Sequence, residues 1–403
     1  MIWRRIAMAK VKLPKGFETA GVACGIKKAL KNDLALIVSK VEAEAAGVFT
    51  KNVVKGHSLK WTMNTIKNGK IKAIAINSGN ANACIGSKGD DDARKMASLT
   101  SEYVGCRKEQ VLLGSTGVIG YALPMNKIES GLRSAYHQLS NENPLDAVNA
   151  IMTTDTVPKH ISVDINLSGK KVTLYGMAKG SGMIHPNMAT MIGVLLTDAS
   201  ISSQMLNHAL KSVVDKSFNR ISIDGDTSVC DMVLLLANGE ASNPTIVDDN
   251  SDYKIFEKAL EDISIALSKM LVKDGEGATK LVEIQVINAP DKESAHLIAN
   301  SIAKSPLVKT ALFGQDANWG RILTAAGYSG ATFNPDSVDI LIGDLLVCKD
   351  GVGLSFVEEK ALCILKQQEI LITLDLKMGD FEDTMWTCDF SYDYVKINGS
   401  YRT

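Results

Sequence analysis

The sequence predicts a mixed α/β protein, and three observations carry that prediction. Short apolar runs at 34–39, 71–77, 191–196 and 232–237 are bounded by glycine, asparagine or aspartate and read as buried strands. Stretches at 202–218 and 253–271 place their apolar residues every three to four positions and read as amphipathic helices. The two kinds of segment alternate along 403 residues that are 45% hydrophobic and 22% charged, enough chain for two or three domains' worth of core.

Charge and cysteine usage exclude several classes. A net charge of −1 leaves no electrostatic footprint for nucleic acid or an anionic membrane. No apolar run approaches the ~18 residues that a membrane span needs. The cysteines at 24, 84, 106, 230, 348, 363 and 388 are scattered, without a C-x-x-C pair or close Cys/His spacing. That pattern points to reduced thiols in a cytoplasmic setting and offers neither a disulfide frame nor a metal site. The opening ten residues are too short for a secretory signal, and Met8 is an alternative start.

Taken in order, the strand 71–77 empties into Asn77-Ser78-Gly79-Asn80-Ala81-Asn82-Ala83-Cys84-Ile85-Gly86, which reads either as turn chemistry or as a polar pocket wall. A helix over 90–104 follows, with Asp90 as its cap and Gly105 as its stop. The strand 111–113 enters a Gly-rich turn, Gly114-Ser115-Thr116-Gly117-Val118-Ile119-Gly120. Its glycine spacing is not a dinucleotide fingerprint, but such a turn can aim backbone N–H groups at one point and hold an oxyanion. After a helix over 125–139 comes Thr153-Thr154-Asp155-Thr156-Val157-Pro158-Lys159, a capping cluster on its residues alone. Alternation over 161–167 and a turn at 168–170 predict a hairpin with one wet face.

The chain then reaches Lys179-Gly180-Ser181-Gly182-Met183-Ile184-His185-Pro186-Asn187-Met188-Ala189-Thr190-Met191, a glycine-broken loop that gives way to a strand at Thr190. A threonine there can attack the carbonyl of Ala189, split the chain and become a new N-terminus. Its freed α-amine, with an unperturbed pKa of about 7.7–8.0, can then serve as the hydroxyl's own base. On its own, Ala189-Thr190 also reads as an ordinary strand start. His185 lacks a partner acid at a telling spacing and reads as structural; so do Asp224 and Asp226, which have no third ligand near them. Beyond the helix at 253–271 lies Asp274-Gly275-Glu276-Gly277, without the spacing of a phosphate loop. Residues 281–403 read as a smaller α/β unit.

The segment from Lys179 to Met191 resembles the self-cleavage segment of the ornithine acetyltransferase family, also called glutamate N-acetyltransferase, and further matching blocks run from about Lys15 to Thr403. The resemblance implies a four-layer αββα sandwich of the DmpA-like type with a smaller C-terminal α/β lobe. It implies cleavage between Ala189 and Thr190 into chains 1–189 and 190–403, assembled as a tetramer of two of each. The oxyanion pair falls on Thr116 and Gly117, the nucleophile on Thr190, and substrate contacts on Thr153, Lys179, Thr190, Glu276, Asn398 and Thr403. Glu276 would grip an amino group or relay a proton. Ala317 stands where proline is usual, a departure that touches loop stiffness alone.

The implied reaction moves an acetyl group from N2-acetylornithine to glutamate through an acetyl-threonine, in ping-pong order, with no metal and no cofactor. Acetyl-CoA is a further donor in some members of the family. The rival enzyme reading is a self-processed aminopeptidase or amidohydrolase, and the rival outside enzymes is an uncleaved amino-acid-binding or regulatory protein that keeps the loop but not the activity.

Overall fold

The computed structural model describes residues 11–28, 31–185 and 191–400. Its first half opens with β1 (Phe17–Val22) and β2 (Leu34–Phe49), followed by α1 (His57–Thr65) and β3 (Lys70–Asn80). Then come α2 (Ser87–Val104), β4 (Val111–Val118), α3 (Met125–His137) and α4 (Leu145–Ile151). The hairpin β5 (Lys159–Leu167) and β6 (Lys170–Lys179) leads to β7 (Ile192–Thr197), α5 (Ser203–Lys216), β8 (Ile221–Ser222), β9 (Met232–Ala237) and α6 (Ser251–Lys273).

Among the described residues these strands form an eight-stranded sheet in the order β4-β3-β2-β9-β7-β6-β5, with β1 also paired to β2. The long strand β2 organises it. Its first half pairs with β1 and β3, its second half with β9, and its pairing with β3 shifts register between Val38 and Ala43. Such an irregularity bends a strand, and here it lets the sheet fold over into two layers. Ala35, Ile37, Ile74, Ile76 and Leu112 of one layer share a core with Tyr175, Met177, Val194, Leu196 and Leu234 of the other. The outer face of the first layer, with Leu34, Leu36 and Val111, is covered by α2 and α3. That of the second, with Leu174, Leu195, Val233 and Leu235, is covered by α5 and α6. This is the four-layer αββα sandwich.

A second sheet builds the smaller lobe from β10 (Leu281–Ala289), β11 (Asp339–Ile342), β12 (Leu345–Lys349), β13 (Val352–Gly353), β14 (Glu369–Asp375) and β15 (Phe381–Cys388), with β8 added at its edge. Alternating residues Val282, Ile284, Ile370, Ile372 and Leu374 pack against α7 (Lys292–Lys304), α9 (Trp319–Gly327) and α10 (Glu358–Leu365). A short α8 (Pro306–Phe313) lies between α7 and α9, and α11 (Tyr392–Ser400) closes the described chain. Helix α6 joins the lobes, since Leu271 and Val272 share a core with Leu281, Trp386 and Cys388.

Local chemistry sets the element ends. Ser202 Oγ accepts from Met205 N at 3.3 Å to start α5, and Asn250 Oδ1 from Tyr253 N at 3.0 Å to start α6. Two expectations need correction. Helix α2 begins at Ser87, and Asp90 pairs with His57 Nδ1 at 2.7 Å instead of capping it. The presumed Gly-rich turn after 113 is still strand: β4 runs on to Val118, alongside β3.

Candidate active site

The C-terminal ends of β3, β4 and β6 and the start of β7 converge on a cavity of about 640 Å³. Of the residues singled out in the sequence, Thr116, Gly117, Thr153, Lys179, Glu276 and Asn398 all line it, together with Met191. Ala189, Thr190 and Thr403 lie outside the described residues.

Thr116 and Gly117 owe their place to an irregularity at the end of the β3–β4 ladder, where Asn80 faces both Thr116 and Val118. Gly117 has φ of +130°, and a Cβ on it would sit 2.4 Å from the carbonyl carbon of Gly79. Only glycine fits there. Behind this ladder a buried chain of hydrogen bonds runs from Asn82 Nδ2 to Ser58 Oγ (3.1 Å), from Ser58 Oγ to Ser115 Oγ (2.7 Å), and from Ser115 Oγ to Asn77 Oδ1 (2.6 Å). The asparagines of 77–82 thus brace the backbone from behind. Of that loop only Ala81 reaches the cavity, so the polar-wall reading gives way to turn and network chemistry.

Lys179, at the end of β6, is 8% exposed. Its Nζ donates to Thr153 Oγ1 at 2.8 Å and lies 3.4 Å from Thr116 Oγ1. A lysine has donors only, so where it meets Thr116 it occupies a lone pair and leaves the hydroxyl proton for another acceptor. Thr153 is fixed in turn, because its N–H donates to Asp155 Oδ2 at 2.9 Å. Burial alone would push the Asp155 carboxyl up, but Lys179 and Lys159 outweigh it and hold the group well below the usual carboxylate range.

Glu276 enters from the loop after α6. Its N–H donates to Ser181 O at 2.7 Å, and its Oε2 accepts from Asn398 Nδ2 of α11 at 2.8 Å. The chain end is held down nearby: Ser391 Oγ donates to Gly277 O at 2.6 Å, and Phe390 stacks on Tyr394 at 4.7 Å. The cavity therefore carries a cation and hydroxyls on one side and a carboxylate on the other, suited to a small molecule bearing both charges.

The loop before Pro186 is pinned by Asp224, whose carboxylate accepts from Met183 N at 2.5 Å and Ile184 N at 2.8 Å. His185 Nδ1 lies 3.2 Å from Ser222 Oγ; burial, then Lys304 and His296, pushes its pKa down to about 4. Among the described residues no group of three or more His, Cys, Asp or Glu is placed to hold a metal ion. No helix among them is long and apolar enough to cross a membrane.

Sequence reasoning missed part of the wall. Thr227, Ser228, Cys230 and Asp231, just before β9, also line the cavity. In the sequence the neighbouring Asp224/Asp226 pair reads as structural, and nothing beside it marks Thr227 or Ser228. Cys230 is buried with Sγ 3.5 Å from Ala81 O, and burial pushes its thiol up, which disfavours it as a nucleophile.

The sandwich and its cavity of hydroxyls, lysine and glutamate define an αββα enzyme acting on a small molecule. More narrowly, the chain belongs to the ArgJ family, whose model matches residues 18–403. The arginine biosynthesis bifunctional protein ArgJ of Caldanaerobacter subterraneus subsp. tengcongensis is 51% identical over 398 residues, covering 98% of each chain. The protein of the same name from Symbiobacterium thermophilum is 49% identical over 395 residues, again with 98% of each covered. A crystal structure of the Bacillus halodurans arginine biosynthesis bifunctional protein ArgJ matches with a TM-score of 0.51 and 42% identity, covering 53% of this chain and 100% of that one.

Proposed function

We propose that this enzyme transfers the acetyl group of N2-acetylornithine to glutamate, releasing ornithine and N-acetylglutamate in arginine biosynthesis. The observation that carries the reading is the convergence of Thr116, Gly117, Thr153, Lys179, Glu276 and Asn398 on one cavity with Met191, the residue after Thr190.

The chain first cuts itself between Ala189 and Thr190, giving fragments 1–189 and 190–403. The Bacillus halodurans crystal chain, matched whole by 53% of this chain, is about half its length, as a cleaved fragment would be. The new α-amine of Thr190 takes the hydroxyl proton as the oxygen attacks the acetyl carbonyl. Thr116 Oγ1 and Gly117 N–H receive the oxyanion, each such donor supplying on the order of 3 kcal/mol. The acetyl C–N bond breaks, the proton passes to the departing ornithine amine, and an ester remains on Thr190. Glutamate's amine attacks that ester, the C–O bond breaks, and the proton returns to the threonine oxygen.

Lys179 and Thr153 bind substrate on the cationic side of the cavity, while Glu276, steadied by Asn398, takes the amino group. Thr403 adds a contact from the chain end. Two fragments of each kind assemble as a tetramer in the cytoplasm, without metal or cofactor. The word bifunctional in the relatives' names supports acetyl-CoA as a second donor for glutamate. The test is product analysis with N-acetylornithine, with and without glutamate. Ornithine release that depends on glutamate and yields N-acetylglutamate supports transfer, whereas equal release without the acceptor would identify a hydrolase.

A further inference from the structure

Beneath the cavity lie three ionised groups that the reaction does not consume. Lys159, the first residue of β5, is 1% exposed, and its Nζ donates to Asp155 Oδ1 at 2.8 Å and to Asp274 Oδ2 at 2.5 Å. The two carboxylates are 0% and 5% exposed. Lysine, aspartate and aspartate are almost never buried to this degree, and each buried ion costs several kcal/mol in lost hydration. Apolar residues of similar volume would serve stability as well. Stability therefore does not explain the triad, and its hydrogen bonds suggest what does.

Each member fixes a different part of the cavity wall. Asp155 accepts from Thr153 N at 2.9 Å and Gly180 N at 2.6 Å, so it holds the residues on either side of Lys179's contact with Thr153. Asp274 accepts from Thr156 N at 3.0 Å and from the Thr156 hydroxyl, gripping the same loop from the other side. Its own carbonyl accepts from Ser181 Oγ at 2.6 Å, and Ser181 O accepts from Glu276 N at 2.7 Å. Lys159 joins these two sets, and it does so across residue 190: Asp155 and Lys159 precede it, Asp274 follows.

We propose that the Asp155–Lys159–Asp274 triad is a positioning device. It holds Thr153 and Lys179, from one side of the cleavage point, at a fixed separation from Glu276, from the other. Its members touch no substrate. They set the distance between the cationic and anionic ends of the cavity, which a substrate carrying both charges must span. This assignment rests on the acetyltransferase reading above.

Two variants test it. Asp274→Asn preserves shape and an acceptor for Thr156 while removing the charge that faces Lys159. Thr156→Val removes only a hydroxyl from an exposed loop. For each, KM for acetylornithine and for glutamate is measured per active site, counted by the acetyl burst, and the Kd for ornithine is measured by calorimetry. Thermal melting and co-elution of the fragments establish folding. Both KM values and the ornithine Kd should rise together, about tenfold in Asp274→Asn and by a smaller factor in Thr156→Val, with burst size per folded molecule retained. Folded variants whose KM and Kd stay within about twofold of the parent overturn the assignment, because a merely structural role lowers the yield of active sites without moving affinity. Should Asp274→Asn not fold, Thr156→Val decides alone. A parent enzyme that takes no acetyl group from acetylornithine would instead sink the functional reading itself.

Discussion

A side chain on Gly182 would place its Cβ 2.2 Å from Oε2 of Glu276. The glycine lets the carboxylate lie directly against the loop that leads to residue 190, and the same carboxylate accepts from Asn398. Gly182→Ala should therefore push Glu276 out of place while leaving the core intact. We expect KM for acetylornithine to rise about tenfold or more, with a melting temperature near that of the parent. Unchanged KM in the folded variant would show that Glu276 does not hold substrate.

The oxyanion assignment makes a sharper demand. Thr116→Val keeps the shape of the side chain and removes its hydroxyl, so kcat should fall about a hundredfold, while Thr116→Ser retains most of it. Gly117→Ala should be worse, since any Cβ there meets the backbone of Gly79 and Asn80. Single-turnover acetylation rates separate this loss from changes in binding.

Much of this architecture was legible in the sequence because it depends on local pattern. The helical stripe of Phe256, Leu260, Ile263 and Leu267 and the apolar run of β9 report their own burial through spacing alone. The continuation of β4 through Gly114 and Gly117 was not legible, because glycine weakens a strand on its own and the pairing that rescues it comes from β3. Nor was the role of Lys159: nothing local marks a lysine as buried, and its partner Asp274 lies 115 residues away. The chain end, ordinarily frayed, forms α11 because Gly277 and Glu276 give it hydrogen-bond partners. Thr153, Lys179 and Glu276 are marked by the family resemblance and not by their local pattern, and their mutual distance is a property of the fold.

The pH dependence of stability should carry the mark of His185. Its folded pKa of about 4 lies below the ordinary histidine value near 6.5, so between these limits the unfolded chain holds more protons than the native protein. Stability at neutral pH is thus lost as pH falls from about 6.5 towards 4, and it levels off below. Melting temperatures across that window should fall less steeply in His185→Gln than in the parent. The same variant should keep its kcat profile at pH 7–8, where His185 is neutral; loss of transfer there would make the histidine a catalytic base.

Helix α11 covers Glu276 with Asn398 and packs Tyr394 on Phe390. If it keeps water from the acetyl ester, a chain ending at Phe390, which also loses Asn398, should bind acetylornithine more weakly but at saturating donor should still acetylate, and should release acetate when no glutamate is present. Acetate released per ornithine formed is the measure. A ratio equal to the parent's would remove sealing from the role of α11.

If Thr190 becomes competent only as a new N-terminus, as proposed above, intact mass of the denatured protein after brief exposure to acetylornithine should reveal it. Two polypeptides of 189 and 214 residues are expected, with one acetyl group gained on the first residue of the longer one and lost again on adding glutamate. An active preparation that remains a single chain of 403 residues, or an acetyl group carried at any other position, would contradict it.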